Sequence, residues 1–322
     1  MSFPVPALLR QPALPAVDIN LEFADALALA KQEKAESTRR AYASDFRIFQ
    51  MYCAERGASA LPAVPETVAA FLARENSNGS KPSTIGRRVA SILYAHKMAA
   101  LPTPTDDERV RAVIRGIRRS RGVAPVKKSP AVAATVLTMC ANAGDQLASL
   151  RDRALLLIGF SIAARRSELV ALDVVDIADV ENGILVTIRR SKTDQESSGA
   201  VVAVPFGAIV CPVKALRAWL EAASIESGPI FRAVLKGGHV SPRRLSGASV
   251  ANIVKAHAER LGLDPTRFAG HSLRAGFVTS ADAQGASIFK IMDVTRHKSV
   301  DTLRGYVRTA ELFNAHAGKG LL

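Results

Sequence analysis

The sequence predicts a mainly α chain of two domains, the second holding a small antiparallel β-sheet, an α+β arrangement. Three observations predict it. A length of 322 residues fits about two domains at roughly 150 residues each. Apolar residues make up 48% against 22% charged, enough to build cores and too much for global disorder. Helical periodicity runs through most of the chain, whereas β-branched runs concentrate between residues 183 and 205.

The first seventeen residues, MSFPVPALLRQPALPAV, carry repeated prolines and read as the core of a flexible arm over 1–20. An all-helical domain is expected over 21–119. Thr38 to Arg56 places Tyr42, Phe46, Phe49 and Cys53 on one helical face, with Gly57 ending it. Glu66 to Arg74 is a short helix after Pro65. Ser83 to Lys97 aligns Ile85, Val89, Leu93 and His96, and Tyr42, Tyr52 and Tyr94 fall at core spacings. Thr105 and Glu108 form a capping-box signature ahead of DERVRAVIRGIRRSR. RRSRGVAPVKKSPA then mixes Gly and Pro with five cations, which predicts a basic linker over 120–131.

The second domain is expected over 132–322, with helices at Val132–Ala141, Leu150–Ala163, Cys211–Ala223, Ala248–Leu261, Ser272–Gln284 and Ser299–Arg308. The apolar run Ala154 to Ala164 is too short to span a bilayer and reads as a buried helix. Gly183 to Arg189 is rich in β-branched residues and reads as a strand, with Ala200 to Pro205 its hairpin partner across the polar turn RRSKTDQESSG.

Charge narrows the partner. Lys and Arg exceed Asp and Glu by 14, which favours a polyanion. Cys53, Cys140 and Cys211 are far apart, against a disulfide framework or a Cys zinc site. The N-terminus does not read as a signal peptide, so the expected compartment is cytoplasmic and nucleic acid is favoured over a membrane. Phosphate-loop, dinucleotide, HExxH and GxSxG motifs are missing, and no Asp/Glu cluster adjoins the basic motifs. No metal and no cofactor is expected.

What remains is a set of cations and one tyrosine. Arg165 lies in IAARRSEL, Lys192 at a hairpin tip, and His271 and Arg274 in HSLR; His297 and Tyr306 follow, nine residues apart. Phosphoryl transfer without a metal asks for these groups. Guanidiniums hold the nonbridging oxygens with fixed, permanently charged donors. A tyrosine hydroxyl can serve as nucleophile, a lysine as acid for the leaving alkoxide, and histidines as hydrogen-bond partners. Glu168, three residues after Arg165, shares its helical face and is expected to orient the guanidinium.

The order ARRSEL, hairpin Lys, HxxR, His and Tyr resembles the tyrosine recombinase (phage integrase) family, over roughly residues 130–310. TRRAYASDF and SKPSTIGRRV resemble its helical core-binding (SAM-like) domain, and LPTPTDDERVRAVIRGIRR its Cre-like branch. The resemblance implies a core-binding domain followed by a catalytic domain. It implies a site-specific recombinase in which Tyr306 attacks a scissile phosphate, giving a 3′-phosphotyrosine without metal or ATP. Double-stranded DNA at specific sites would be the partner, and a homo-oligomer, a tetramer on two sites, the working form. The tail from Arg308 would dock on a neighbouring protomer or pack in cis. Three positions depart from the family's usual residues: Ala163 and Arg296, where glycine is common, and Ala275 in place of a histidine.

DNA-backbone contacts are expected from Arg39, Arg40, Lys81, Arg87 and Arg88 early in the first domain, and from Arg115 and Arg118 on its last helix. Lys127 and Lys128 in the linker and Arg243 and Arg244 beyond it complete the set; such contacts position the protein rather than specify a sequence. Two other readings stay open at this point: a monomeric type IB topoisomerase-like relaxase using the same residues, and a catalytically silent DNA-binding protein.

Overall fold

A computed structural model describes residues 33–122, 128–189, 199–297, 299, 300 and 303. The arm, Lys127, Lys192 with its hairpin turn, Tyr306 and the tail lie outside these residues. The chain divides into two compact units, 1–125 and 126–322.

The first unit is helical among its described residues: α1 (Glu36–Ala54), α2 (Pro65–Ser77), α3 (Pro82–Met98) and α4 (Glu108–Arg121). Helices α2 and α3 begin on proline, whose fixed φ suits the first turn and whose missing N–H is not needed there. The face foreseen for α1 is buried at Phe49 and Cys53, and Phe49 and Tyr52 each stack against Phe71 of α2 with ring centroids 5.1 Å apart. Ile85, Ile92, Val110 and Ile117 close this core from α3 and α4. His96 is wholly buried; its Nε2 accepts the Ala63 N–H at 3.0 Å while Nδ1 donates to the Ile92 carbonyl at 2.8 Å, which defines a neutral tautomer.

The expected capping box at Thr105 does not form. Thr105 sits in a 3₁₀ turn, Pro104–Asp106, and Asp107 caps α4 by accepting the Arg109 N–H at 2.9 Å. A carboxylate there both accepts the N–H and favours the positive helix end. The stretch read as linker is also shorter than 120–131. Helix α4 continues to Arg121, while Ser129 and Ala131 donate backbone N–H groups to Arg267 and Ser272 of the second unit at 2.7 and 2.9 Å.

The second unit contains α5 (Ala133–Ala141), α6 (Leu147–Ser161), α7 (Arg166–Ala171), β1 (Ile177–Val180), β2 (Gly183–Ile188), β3 (Ala200–Pro205) and α8 (Pro212–Ala222). There follow β4 (Arg232–Val234), β5 (Val240–Arg244), α9 (Gly247–Arg260), α10 (Ser272–Ala283) and α11 (Ile288–Thr295). Strands β2 and β3 pair antiparallel from Gly183–Pro205 to Ile188–Ala200, as the hairpin reading requires. The sequence did not signal β1 on the other edge, the β4–β5 hairpin or α11.

From Ala154 to Gly159 helix α6 is apolar all round because both sides are covered. Leu155 and Ile158 join the core that holds Val186, Val202 and Trp219, while Leu156 and Leu157 join the one that holds Met139, Val254 and Leu273. Trp219 satisfies its buried N–H on the Ile230 carbonyl at 2.9 Å. At the polar end of α6, buried Asp152 joins His257 of α9, at 3.1 Å, to Arg151. Among the described residues no helix is long and apolar enough to cross a membrane.

Candidate active site

The apolar run does not remain helical to Ala164. Helix α6 ends at Ser161, and the chain reverses through Ala163 at φ 46°. Ala164 N–H returns to the Gly159 carbonyl and Ala163 N–H to the Phe160 carbonyl, both at 2.9 Å, a Schellman closure. This turn delivers Arg165 at the cap position of α7. Helix α11 also ends left-handed, but by the simpler αL motif: Arg296, at φ 59°, donates its N–H to the Met292 carbonyl at 2.6 Å, and this turn delivers His297. Both left-handed positions are ones where glycine, lacking a Cβ, is the easy residue. The departures at Ala163 and Arg296 are therefore departures at two left-handed helix ends.

Arg274, on α10, joins the two turns. It is wholly buried; Nη1 donates to the Ala163 carbonyl at 2.8 Å and Nη2 to the Thr295 carbonyl. A buried guanidinium that spends donors on two backbone carbonyls is fixed in orientation before any ligand arrives. His271 stands one turn earlier, at the start of α10.

Glu168 is buried at the first turn of α7. Its Oε1 accepts from Arg165 Nη1 at 2.6 Å and its Oε2 from the Arg165 backbone N–H at 2.9 Å. The second bond is one half of a capping box; the other half is impossible because a guanidinium cannot accept. The same Oε2 accepts from Arg296 Nη2 at 2.8 Å. His297 reaches Thr295 Oγ1 from Nδ1 at 2.8 Å. Sequence reasoning missed Arg296 and Thr295. Their signal was the arginine written where glycine is common, directly before the histidine.

Burial and positive neighbours act together on both histidines. Desolvation, then the Arg274 and Arg165 guanidiniums, hold His271 below its ordinary pKa of 6.5. Desolvation, Arg274, Arg165, His271 and Arg296 push His297 down to about 4. These shared electrostatic neighbours put Arg165, His271, Arg274 and His297 in one positive site. No group of three His, Cys, Asp or Glu able to hold a metal occurs among the described residues.

The cations expected to meet DNA differ in how they are held. Arg40, Lys81, Arg118 and Arg243 are exposed, Arg39 is half-buried, and Arg115 is exposed beside Glu108. Lys128 donates to the Thr266 carbonyl at 2.5 Å. Arg87 grips buried Asp45 with two bonds of 2.6 and 3.1 Å, and Arg244 donates to the Val170 carbonyl at 2.8 Å and to Asp173 at 3.0 Å. Arg88 is turned inward, 13% exposed, between Asp45 and Glu75, so it braces α3 against α1 and α2. Arg166 is exposed at its head, while its stem lies against Gly247 and Gly270, where an added Cβ would stand 3.4 and 3.2 Å from it.

Comparisons with known proteins give the chain its relatives. The phage integrase family model matches residues 131–312. The integrase/recombinase XerD homolog of Selenomonas ruminantium is 38% identical over 294 residues, 89% of this chain and 86% of that protein. The recombinase Cre of Escherichia phage P1 is 25% identical over 301 residues, 87% of this chain and 86% of that protein. In fold, the chain resembles a chain of a lambda integrase dimer bound to a core site, with a TM-score of 0.60 at 17% identity, covering 89% of this chain and 75% of that one. A XerH recombinase bound to its difH substrate gives a TM-score of 0.55 at 15% identity, covering 77% and 70%. With a family model spanning more than half the chain and a relative of this identity along most of its length, the chain belongs to the phage integrase family, the tyrosine recombinases.

Proposed function

We propose that this recombinase cleaves and rejoins duplex DNA at specific sites through a 3′-phosphotyrosine on Tyr306, using neither metal nor ATP. The observation that carries the reading is Arg274 bound to both left-handed turns, which sets its guanidinium beside Arg165 and His297 in advance of substrate. Such preorganised donors stabilise the charge that develops on nonbridging phosphate oxygens.

In the proposed step the Tyr306 Oη forms a bond to phosphorus and the bond from phosphorus to the 5′-oxygen breaks. Lys192 gives its proton to that oxygen, and His271, held neutral at working pH, takes the phenolic proton. Arg165 and Arg274 hold the nonbridging oxygens. His297 aids as a hydrogen-bond partner of the phosphate, its Nδ1 held 2.8 Å from the Thr295 hydroxyl, which itself donates to the Met292 carbonyl at 3.4 Å. A 5′-hydroxyl from a second duplex then reverses the step and reseals the strand.

The two units serve as a core-binding domain and a catalytic domain, with the exposed cations Arg40, Lys81, Arg118 and Arg243 on the DNA backbone. A tetramer on two sites in the cytoplasm is the proposed working form. Supporting DNA as the partner, the XerH and lambda integrase structures similar in fold are recombinases held on DNA. Expressing the protein, trapping it on DNA with denaturant and sequencing the attached fragments tests the reading. Fragments sharing one site support it; no attached DNA contradicts it. A plasmid carrying two copies of that site then separates recombination from mere relaxation of supercoils.

A further inference from the structure

Glu168 poses an electrostatic problem. A carboxylate in hydrogen-bond contact with Arg165 orients that guanidinium, but its negative charge also subtracts from the field Arg165 can offer a phosphate. In a buried site this subtraction is not screened by water. Glu168 is 2% exposed.

Arg296 answers it. Its side chain is 10% exposed and its Nη2 donates to Glu168 Oε2 at 2.8 Å, on the oxygen that also accepts the Arg165 backbone N–H. Nη1 is anchored on the Ile162 carbonyl at 3.0 Å and the Val294 carbonyl at 2.7 Å, one at each of the two helix ends. Meanwhile Arg296 holds a backbone conformation that a Cβ disfavours, and its Nε is buried without a hydrogen-bond partner among the described residues. A glycine would remove both penalties. The arginine stands at a strained, desolvated position whose one ion pair among the described residues is with the carboxylate that serves Arg165.

We propose that Arg296 is a positioning residue for Arg165: by neutralising the buried Glu168 carboxylate, it lets Glu168 orient Arg165 without weakening its pull on the scissile phosphate. The triad Arg165–Glu168–Arg296 then carries one net positive charge toward the site rather than none. This rests on the phosphoryl-transfer reading above.

The test compares wild type, Arg296→Gly and the double variant Arg296→Gly with Glu168→Gln on a nicked duplex of the trapped target site. Adduct rate at saturating protein, Kd for the duplex and melting temperature are read together. Arg296→Gly lowers the adduct rate about 10–100-fold while Kd stays within about twofold. The double variant regains at least about tenfold of that loss, because the glutamine amide still accepts from Arg165 but carries no charge. A purely structural role predicts no such recovery. An Arg296→Gly rate within about threefold of wild type, or a double variant no faster than the single, overturns the proposal. If wild type itself forms no adduct, the phosphotyrosine reading falls and takes this one with it, a failure visible without any variant. Should Arg296→Gly lose cooperative melting, Arg296→Met, which keeps the buried stem, replaces it in the same pair.

Discussion

Arg274 Nη1 donates to the carbonyl of Ala163, 111 residues earlier in the chain, at 2.8 Å. The acceptor belongs to the residue that ends α6 with φ 46°, two positions before Arg165. The two arginines expected to hold a phosphate are thus set relative to each other by one backbone turn. Any change that moves α10 moves both the clamp and His271.

Gly276 sets the position of α10. A Cβ built there would stand 1.7 Å from the Ala131 carbonyl oxygen, backbone that cannot swing aside. Gly276→Ala should lower stability by about 1–3 kcal/mol, the range for overpacking, and displace Arg274. A thermal melt and an adduct assay check this; an unchanged melting temperature with wild-type adduct formation would contradict the close approach.

His297 makes stability depend on acid. Its folded pKa of about 4 lies below the ordinary 6.5, so between these values the unfolded chain binds a proton that the folded chain refuses. Stability from this group is full above about 6.5, falls as the pH drops toward 4, and changes no further below it. His271, shifted the same way, adds to the loss. His297→Gln should therefore lose less stability than wild type between pH 7 and 4, seen as melting temperatures that converge or cross on acidification. Parallel melting curves at every pH would count against the depressed histidine.

Affinity for DNA should rest on backbone charge. With on the order of 6–10 phosphates neutralised, binding weakens by about 10³–10⁵ between 50 and 200 mM salt. Titrations by anisotropy measure the slope, and a flat plot of log K against log salt would remove DNA as the partner. Arg118→Ala should reduce the slope by about one, whereas Arg88→Ala should act through stability, because its guanidinium is spent on Glu75.

Lys192 is expected to protonate the leaving 5′-oxygen. A thiolate leaving group needs no proton, since a thiol has a pKa of roughly 8.5. Lys192→Ala should be badly impaired on ordinary DNA and largely restored on a duplex with sulfur at the bridging 5′ position. Arg165→Ala and Arg274→Ala should stay impaired on both, because nonbridging charge still needs holding. If sulfur does nothing for Lys192→Ala, the acid is another group, with His271 next in line.

Helices were legible in the sequence because their buried faces repeat at helical spacing, as Phe49 and Cys53 do in α1. The pair β2–β3 was legible from its β-branched runs. Strands β4 and β5 were not: they are short, and β5 carries Pro242, Arg243 and Arg244, which lack any strand signature. Turn geometry was hidden for a different reason. Nothing about alanine or arginine announces a left-handed backbone, so the turns at Ala163 and Arg296 became visible only with φ in hand. At the site, Arg165, His271, Arg274 and His297 were named by residue type and order, yet the carbonyls that hold Arg274 and the second guanidinium on Glu168 depend on tertiary packing, which residue order does not encode.

The proposed mechanism rests most directly on Tyr306 as the nucleophile. Wild type and Tyr306→Phe, incubated with the trapped target duplex and stopped with detergent, can be compared by gel mobility and by mass of the digested adduct. The variant loses only a hydroxyl, so it should bind the duplex as wild type does and form no covalent complex. Wild type should form one in chelator as readily as in buffer, with the DNA 3′-phosphate on the peptide containing Tyr306. A covalent complex that persists in Tyr306→Phe, or one that disappears in chelator, would contradict the mechanism.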